Sequence, residues 1–198
     1  MKRIPFAILF VLMSAAASQL YSQDDSKIKT LIVDGQNNHD QWPKLTYMLK
    51  QEMEATGLFS VEVERTTNTW KGDEYLADFV IDGMQKTESL EEPVPNPGFS
   101  PDFSKYDLVI SNFGWNAAPW LKTTKENFEK FVEKGGGLVV FHAADNSFPE
   151  WEAYNKMIGI GGWGDRTEKD GPYVYYNDAG ELIRDETPGP GGAHGPQS

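Results

Sequence analysis

The 198-residue sequence contains three histidines, His39, His142 and His194, and no cysteine. Histidine titrates near neutrality and suits proton transfer. Combined with carboxylates it also suits zinc or a similar ion. Two of the three stand in dense polar clusters, "DGQNNHD" (34–40) and "HAADN" (142–146), and a further cluster, "NFGWN", spans 112–116. His194 sits in "PGPGGAHGPQS", a glycine-rich stretch that allows close backbone approach. Each histidine taken singly reads equally well as a hydrogen-bonded structural residue. Taken together they point to an acid–base site or a metal site. The metal reading ranks second, because no H-x-H, H-x-x-H or HExxH spacing is present and distant residues would have to converge.

Other chemistries find less support. Without cysteine there is neither a disulfide nor a thiolate nucleophile. No G-x-S-x-G elbow is present, and Ser147 precedes Phe148-Pro149 without a glycine turn. Gly159, Gly161 and Gly164 match G-x-G-x-x-G in letters, but no strand-like run leads into them. A loop carrying Trp163 and Arg166 toward a ligand fits "GIGGWGDR" better; the plainer alternative is a helix ending at Gly159 and an ordinary loop.

The elements that must position these clusters are legible as hydrophobic patterns. Ile28 to Val33 is a continuous apolar run that predicts a buried strand. Trp42, Leu45, Leu49 and Met53 recur at helical spacing, with Asp40 as N-cap, Pro43 in the first turn and Gly57 as the stop. Phe59, Val61 and Val63 alternate with polar residues, which predicts a half-buried strand at or near a sheet edge. The stretch 66–104 reads as irregular, with room for a short helix in "KGDEYLADFVIDGM" and a proline-rich loop after it. Leu108 to Ser111 predicts a third strand. A helix follows, capped by Thr123 and Glu126 and ended by Gly135, with Phe128, Phe131 and Val132 facing inward. "LVVFH" predicts a fourth strand, and "YVYYNDAGELIRD" a hairpin about Asn177 to Gly180. Strands one, three and four read as buried on both faces. Alternating strands and helices predict an open, mostly parallel α/β sheet with its strand C-termini on one edge. All three polar clusters follow strands, so they are expected together on that edge, where such sheets bind ligands.

The first residues, "MKRIPFAILFVLMSAAASQLYSQDD", combine a basic start, an apolar run from Ile4 to Met13 and small residues from Ser14 to Ser18. Residues 1–22 are expected to be a signal peptide. The apolar run is shorter than the ~20 residues of a spanning helix, so no stable membrane insertion is expected after cleavage. The protein is expected in the periplasm or outside the cell. Formal net charge is −12, and −14 without Lys2 and Arg3, which disfavours a nucleic-acid partner. Aromatics make up 13% of residues and six are tryptophan, which predicts either flat faces for ring-bearing ligands or an aromatic core.

"VDGQNNHDQWPKLTYMLKQEMEATGLFSVEV", "YDLVISNFG", "FEKFVEKGGGLVVFHAADNSFPEWEAYNKMIGIGGWGDR" and "DGPYVYY" with "GGAHGPQ" resemble the ThuA-like family, named for trehalose utilisation. The resemblance runs from Lys29 to the last residue. It implies a flavodoxin-like sheet with helices on both faces, similar to class I glutamine amidotransferases. In those enzymes a cysteine nucleophile sits on the turn after the strand corresponding to "LVVFHA"; here His142-Ala143-Ala144 stands there, so cysteine-dependent glutamine hydrolysis is not expected. The resemblance also implies more sheet and helix beyond "HGPQ", so residues 23–198 read as a domain truncated at its C-terminus. The family's association is with disaccharide and oxidised-sugar use, so the expected partner is a small carbohydrate; no cofactor or metal is assigned, and a homo-oligomer is compatible. In this reading His142 is the acid–base residue, Asp145 orients it, and His39 is a second catalytic contact. Asp34, Asn37, Asn38, Asn112 and Asn146 are polar contacts to substrate, Trp115 and Trp163 are stacking faces, Arg166 faces the ligand, and His194 closes over it. A non-catalytic sugar- or partner-binding module and a metal-dependent hydrolase using the three histidines remain as alternatives.

Overall fold

β1 (Ile28–Gln36) carries the apolar run three residues further than its last valine, to Gln36. Helix α1 (Trp42–Ala55) follows, then β2 (Phe59–Trp70), a short α2 (Asp73–Asp78) and a three-residue β3 (Glu88–Leu90). β4 (Leu108–Ser111), α3 (Lys122–Glu133) and β5 (Gly137–Val140) complete a second strand–helix–strand unit. A 3₁₀ turn (His142–Asn146), α4 (Glu152–Ile158) and the hairpin β6 (Tyr173–Tyr176) and β7 (Leu182–Asp185) come last. The computed structural model describes residues 26–159, 168 and 172–189. The expected signal peptide, Trp163, Arg166 and His194 lie outside them.

The five strands β1 to β5 form one sheet in the order β3-β2-β1-β4-β5, and every neighbouring pair is parallel. The fold is the open, parallel α/β sheet that the alternation of strands and helices predicts, and the flavodoxin-like sheet that the resemblance implies. From β1 the chain builds outward through β2 and β3, then returns to the other side of β1 with β4 and β5. The reversal leaves a crevice between the C-terminal ends of β1 and β4, the place where open parallel sheets bind ligands.

Side-chain alternation along β1 supplies both cores. Leu31 and Val33 pack with Val109, Phe128 and Phe131 on the α3 side, and Ile32 packs with Val61, Ile110, Leu49 and Met53 on the α1 side. The α3 side holds a dense aromatic cluster. Trp120 lies 5.1 to 5.6 Å, centroid to centroid, from Phe99, Phe113, Phe128, Phe148 and Trp151. Trp42, Trp70, Trp120 and Trp151 are buried and Trp115 is half exposed, so the aromatic richness is chiefly a core property.

Local expectations fail where side chains were asked to cap. The residue before α1 is Gln41, not Asp40, because the Trp42 N–H reaches the His39 carbonyl and a turn opens the helix. The Thr123–Glu126 capping box does not form, since α3 starts at Lys122 and Leu121 precedes it without a side-chain cap. β3 goes unseen in the sequence because three residues carry no period. β5 is not buried on both faces: it is the last strand of the described sheet, and Val139 is 43% exposed. The stops at Gly57 and Gly135 hold, both with left-handed torsions, and Gly159 likewise ends α4.

One irregularity matters for the site. Asp34 pairs with Arg65, but Gln36 pairs with Trp70, so the register shifts at Gly35. Gly35 has φ 130°, and a Cβ there would lie 1.9 Å from Thr66 Oγ1. Gly35→Ala should therefore lower stability by about 1–3 kcal/mol. Urea unfolding should show a smaller loss for Gly57→Ala, where a methyl meets nothing within 4 Å.

Glu62 and Glu64 pair with Leu31 and Val33 and share their side of the sheet. Tyr106 donates its hydroxyl proton to Glu62 at 2.7 Å. Partial burial, reinforced by Glu62 and opposed by Lys105, pushes the Glu64 carboxyl above its ordinary value. A raised carboxyl makes ionised Glu64 a cost at neutral pH that disappears below the unfolded value of 4.5. Glu64→Gln should therefore be more stable than wild type near neutrality, with the gain fading as thermal unfolding is followed to acid pH.

Candidate active site

The floor of the crevice is a buried polar network. Asp34, at the end of β1, is fully buried and accepts two hydrogen bonds from Arg65, from Nε at 2.7 Å and from Nη2 at 2.8 Å. Thr46 of α1 donates a third at 2.7 Å. The Arg65 guanidinium also lies 4.7 Å from the Trp42 ring centroid. Thr46 in turn accepts from Asn112 Nδ2 at 2.9 Å, and the same amide reaches the Trp42 carbonyl at 3.1 Å. Asn37 Nδ2 donates to the carbonyls of Asn112 and Phe113 at 3.2 and 3.0 Å. Asn37 Oδ1 accepts the backbone N–H of His39 at 2.9 Å. A charged pair at the bottom is thus linked, bond by bond, to the backbone that presents His39.

The loops above this floor are held by further specific contacts. Asn38 Oδ1 accepts the Trp115 N–H at 2.9 Å, and Lys71 Nζ reaches the Asn38 carbonyl at 3.2 Å. Gln36 donates to the carbonyls of Asn68 and Val94 and accepts from the Ala118 N–H. Ser147 Oγ donates to the Gly114 carbonyl at 3.1 Å, tying the turn after β5 to the loop after β4. Gly114 has no room for a side chain, since a Cβ would sit 2.4 Å from Asn37 Oδ1 and 2.6 Å from Asn38 Oδ1.

Backbone strain concentrates on the same edge. The described non-glycine residues with positive φ are Lys71, Asn116, His142 and Phe148. All four follow the C-terminal ends of β2, β4 or β5. Left-handed torsions cost a non-glycine residue roughly 1–2 kcal/mol, so they persist where surrounding structure over-determines them. His142, at φ 50°, turns the chain out of β5 into the 3₁₀ turn. Its exposed ring stands 4.7 Å, centroid to centroid, from the ring of His39, tilted by 50°. Two loops from the two sides of the switch point therefore deliver two imidazoles to one spot. One can accept a proton while the other donates, or both can polarise one substrate group.

The other expected site residues divide by burial. Asp34 does not face a ligand, because Arg65 and Thr46 occupy its oxygens and it is out of reach of solvent. Asn37 and Asn112 are also buried and spend their amides on the network, so they shape the site and do not line it. Asn38 is half-buried and holds the Trp115 loop. Asp145 makes no hydrogen bond to His142, whose ring packs against that of His39. Trp115, 45% exposed, and half-buried Asn146 remain available to a ligand. Among the described residues no three metal-capable side chains group together.

Sequence reading misses Arg65, Thr46, Gln36 and Gly114. Arg65 carries a detectable signal: it takes the fourth place in the inward series Phe59, Val61, Val63. A charge at an inward position needs a partner, and Asp34 is its neighbour on β1. Thr46 is similarly marked by lying in the apolar stripe of α1, between Trp42 and Leu49.

No protein-family model and no curated protein matches the chain. A crystal structure from Parabacteroides merdae, described as that of a ThuA-like protein, is similar at 36% identity with a TM-score of 0.66. The match covers 87% of this chain and 52% of that one, so the chain spans about half the length of that protein.

Arg65→Met should destabilise the protein by about 3–5 kcal/mol, because it leaves a fully buried carboxylate without its cation. Adding Asp34→Asn to Arg65→Met should recover part of that loss, and urea unfolding of the two variants measures the recovery.

Proposed function

We propose that the protein is an exported ThuA-like protein of carbohydrate utilisation that acts on a disaccharide or keto-sugar through the His39–His142 pair. The observation that carries this reading is the convergence of two exposed imidazoles at 4.7 Å on the switch-point edge of a parallel sheet. Similarity to a ThuA-like protein supports the carbohydrate class. Residues 1–22 act as the signal peptide, and the acidic surface keeps the protein from nucleic acid. In this mechanism His142 removes or delivers the proton at a sugar hydroxyl or glycosidic oxygen. His39 holds the neighbouring oxygen and exchanges the second proton. The half-exposed Trp115 offers a flat face to the C–H side of a pyranose. The strained turn fixes His142 before substrate arrives, so little orientation is lost on binding.

A second reading, a sugar-binding module without turnover, is favoured by one observation: a turn that bears a nucleophile in related folds here bears a histidine and no thiolate. The two readings separate in one variant. Asparagine tolerates a left-handed torsion, so His142→Asn keeps the turn. If the protein is an enzyme, His142→Asn should lower kcat by about 10²–10⁴-fold with the fold intact by circular dichroism. Binding of disaccharides by wild type without product over a panel of neutral and keto-sugars would support the module.

A further inference from the structure

We infer that a small cavity lined by the loop after β4 and the turn after β5 binds a sugar ring that carries a carboxylate, with Lys125 as the group that selects it. The inference rests on the carbohydrate reading above and specifies its substrate class. The cavity has a volume of about 210 Å³ and is lined by Trp115, on the loop after β4, and by Asn146, at the end of the 3₁₀ turn that starts with His142. It falls below the ~300–1,000 Å³ of pockets that take drug-sized ligands, so it fits one small ring. Its walls are mostly apolar, from Trp115, Pro119, Phe148 and Trp151, with the amides of Asn116 and Asn146 among them. Flat apolar faces with a few amides suit a pyranose, whose ring presents C–H faces and an equator of hydroxyls.

Lys125 is the exception in this lining. It is half-buried in the first turn of α3, and its ammonium lies 5.4 Å from the centroid of the Trp151 ring. That ring is itself held, because Trp151 Nε1 donates to Glu129 at 2.7 Å. Among the described residues Lys50, Lys105, Lys122 and Lys156 each pair with a carboxylate of their own helix or turn, whereas Lys125, like Lys44 and Lys71, sits over an aromatic ring without an ion pair, and it alone of these three lines the cavity. In a chain of net charge −12, a half-buried lysine held on a tryptophan face instead of a carboxylate leaves its ammonium protons for a ligand. Glu150 also lines the cavity, but it is exposed and screened by water. A carboxylate on the ring would meet Lys125 while the ring lies along the apolar wall toward Asn146.

Calorimetry or ligand-observed NMR on the full chain tests this with methyl glucuronide against methyl glucoside. Wild type should bind the glucuronide about tenfold more tightly, the worth of one charge-assisted contact. Lys125→Gln keeps the helix and the stem and should erase that preference while leaving glucoside binding unchanged; Lys125→Arg should retain it. Equal affinity for the two glycosides in wild type, a preference that survives Lys125→Gln, or no binding of either would overturn the inference. His142→Asn separates it from the proposed activity. A glucuronide preference that persists in that variant, with no turnover in any variant, refutes the enzyme reading and keeps the cavity assignment. Turnover of neutral sugars with no preference does the reverse.

Discussion

The ion pair between Asp34 and Arg65 sets the geometry of everything above it. Both groups are almost wholly withdrawn from water, with side-chain exposures of 0% and 4%. A buried pair of this kind brings little net stability, because desolvation consumes most of the attraction. What it brings is intolerance of error. Each Asp34 oxygen must meet a donor, so β1, β2 and α1 are held in one relative position by Arg65 and Thr46. From Thr46 the constraint passes to Asn112, just past β4, and then to Asn37, whose side-chain Oδ1 receives the His39 N–H. Two loops that share no sequence proximity are thereby placed by the same charge pair.

The strained residues explain why such a floor is needed. Left-handed torsions at His142, Asn116 and Phe148 store unfavourable energy in the loops that meet over the crevice. Left to themselves, these loops would relax. Hydrogen bonds from Ser147 to Gly114 and from Trp115 to Asn38 pin them to one another, and Gly114 lets the two asparagine side chains approach without a methyl between them. Rigidity below and strain above belong to one arrangement, in which the stiff part holds the distorted part in a shape that water and solvent-exposed loops would not choose.

Patterns of period and terminus carried the fold in the sequence. The apolar runs at β1 and β4, the stripe on α1 and the glycine stops placed most of the sheet, and the polar clusters after three strands located the edge on which His39 and His142 meet. Side-chain roles within those clusters were hidden, for a physical reason. An asparagine that faces solvent and one that closes a buried network have the same local sequence, and only packing separates Asn37 from Asn38. Capping failed likewise, because the turn at His39 to Trp42 shifted the helix start by one residue. Arg65 and Thr46 were different: their parity within apolar series already said that they point inward, and a charge pointing inward on β2 beside Asp34 on β1 defines its own partner.

A histidine on the turn after β5 changes what that turn can do. A thiolate there attacks and holds an acyl group; an imidazole moves a proton or polarises an oxygen and forms no such bond. Proton transfer needs a second group in register with the first, which a lone nucleophile does not. In the arrangement proposed above His39 is that group, and its loop and the His142 turn are both tied to the floor beneath them. The proposed proton chemistry at this edge therefore asks for the buried contacts that set the separation of the two rings as well as for the histidines themselves.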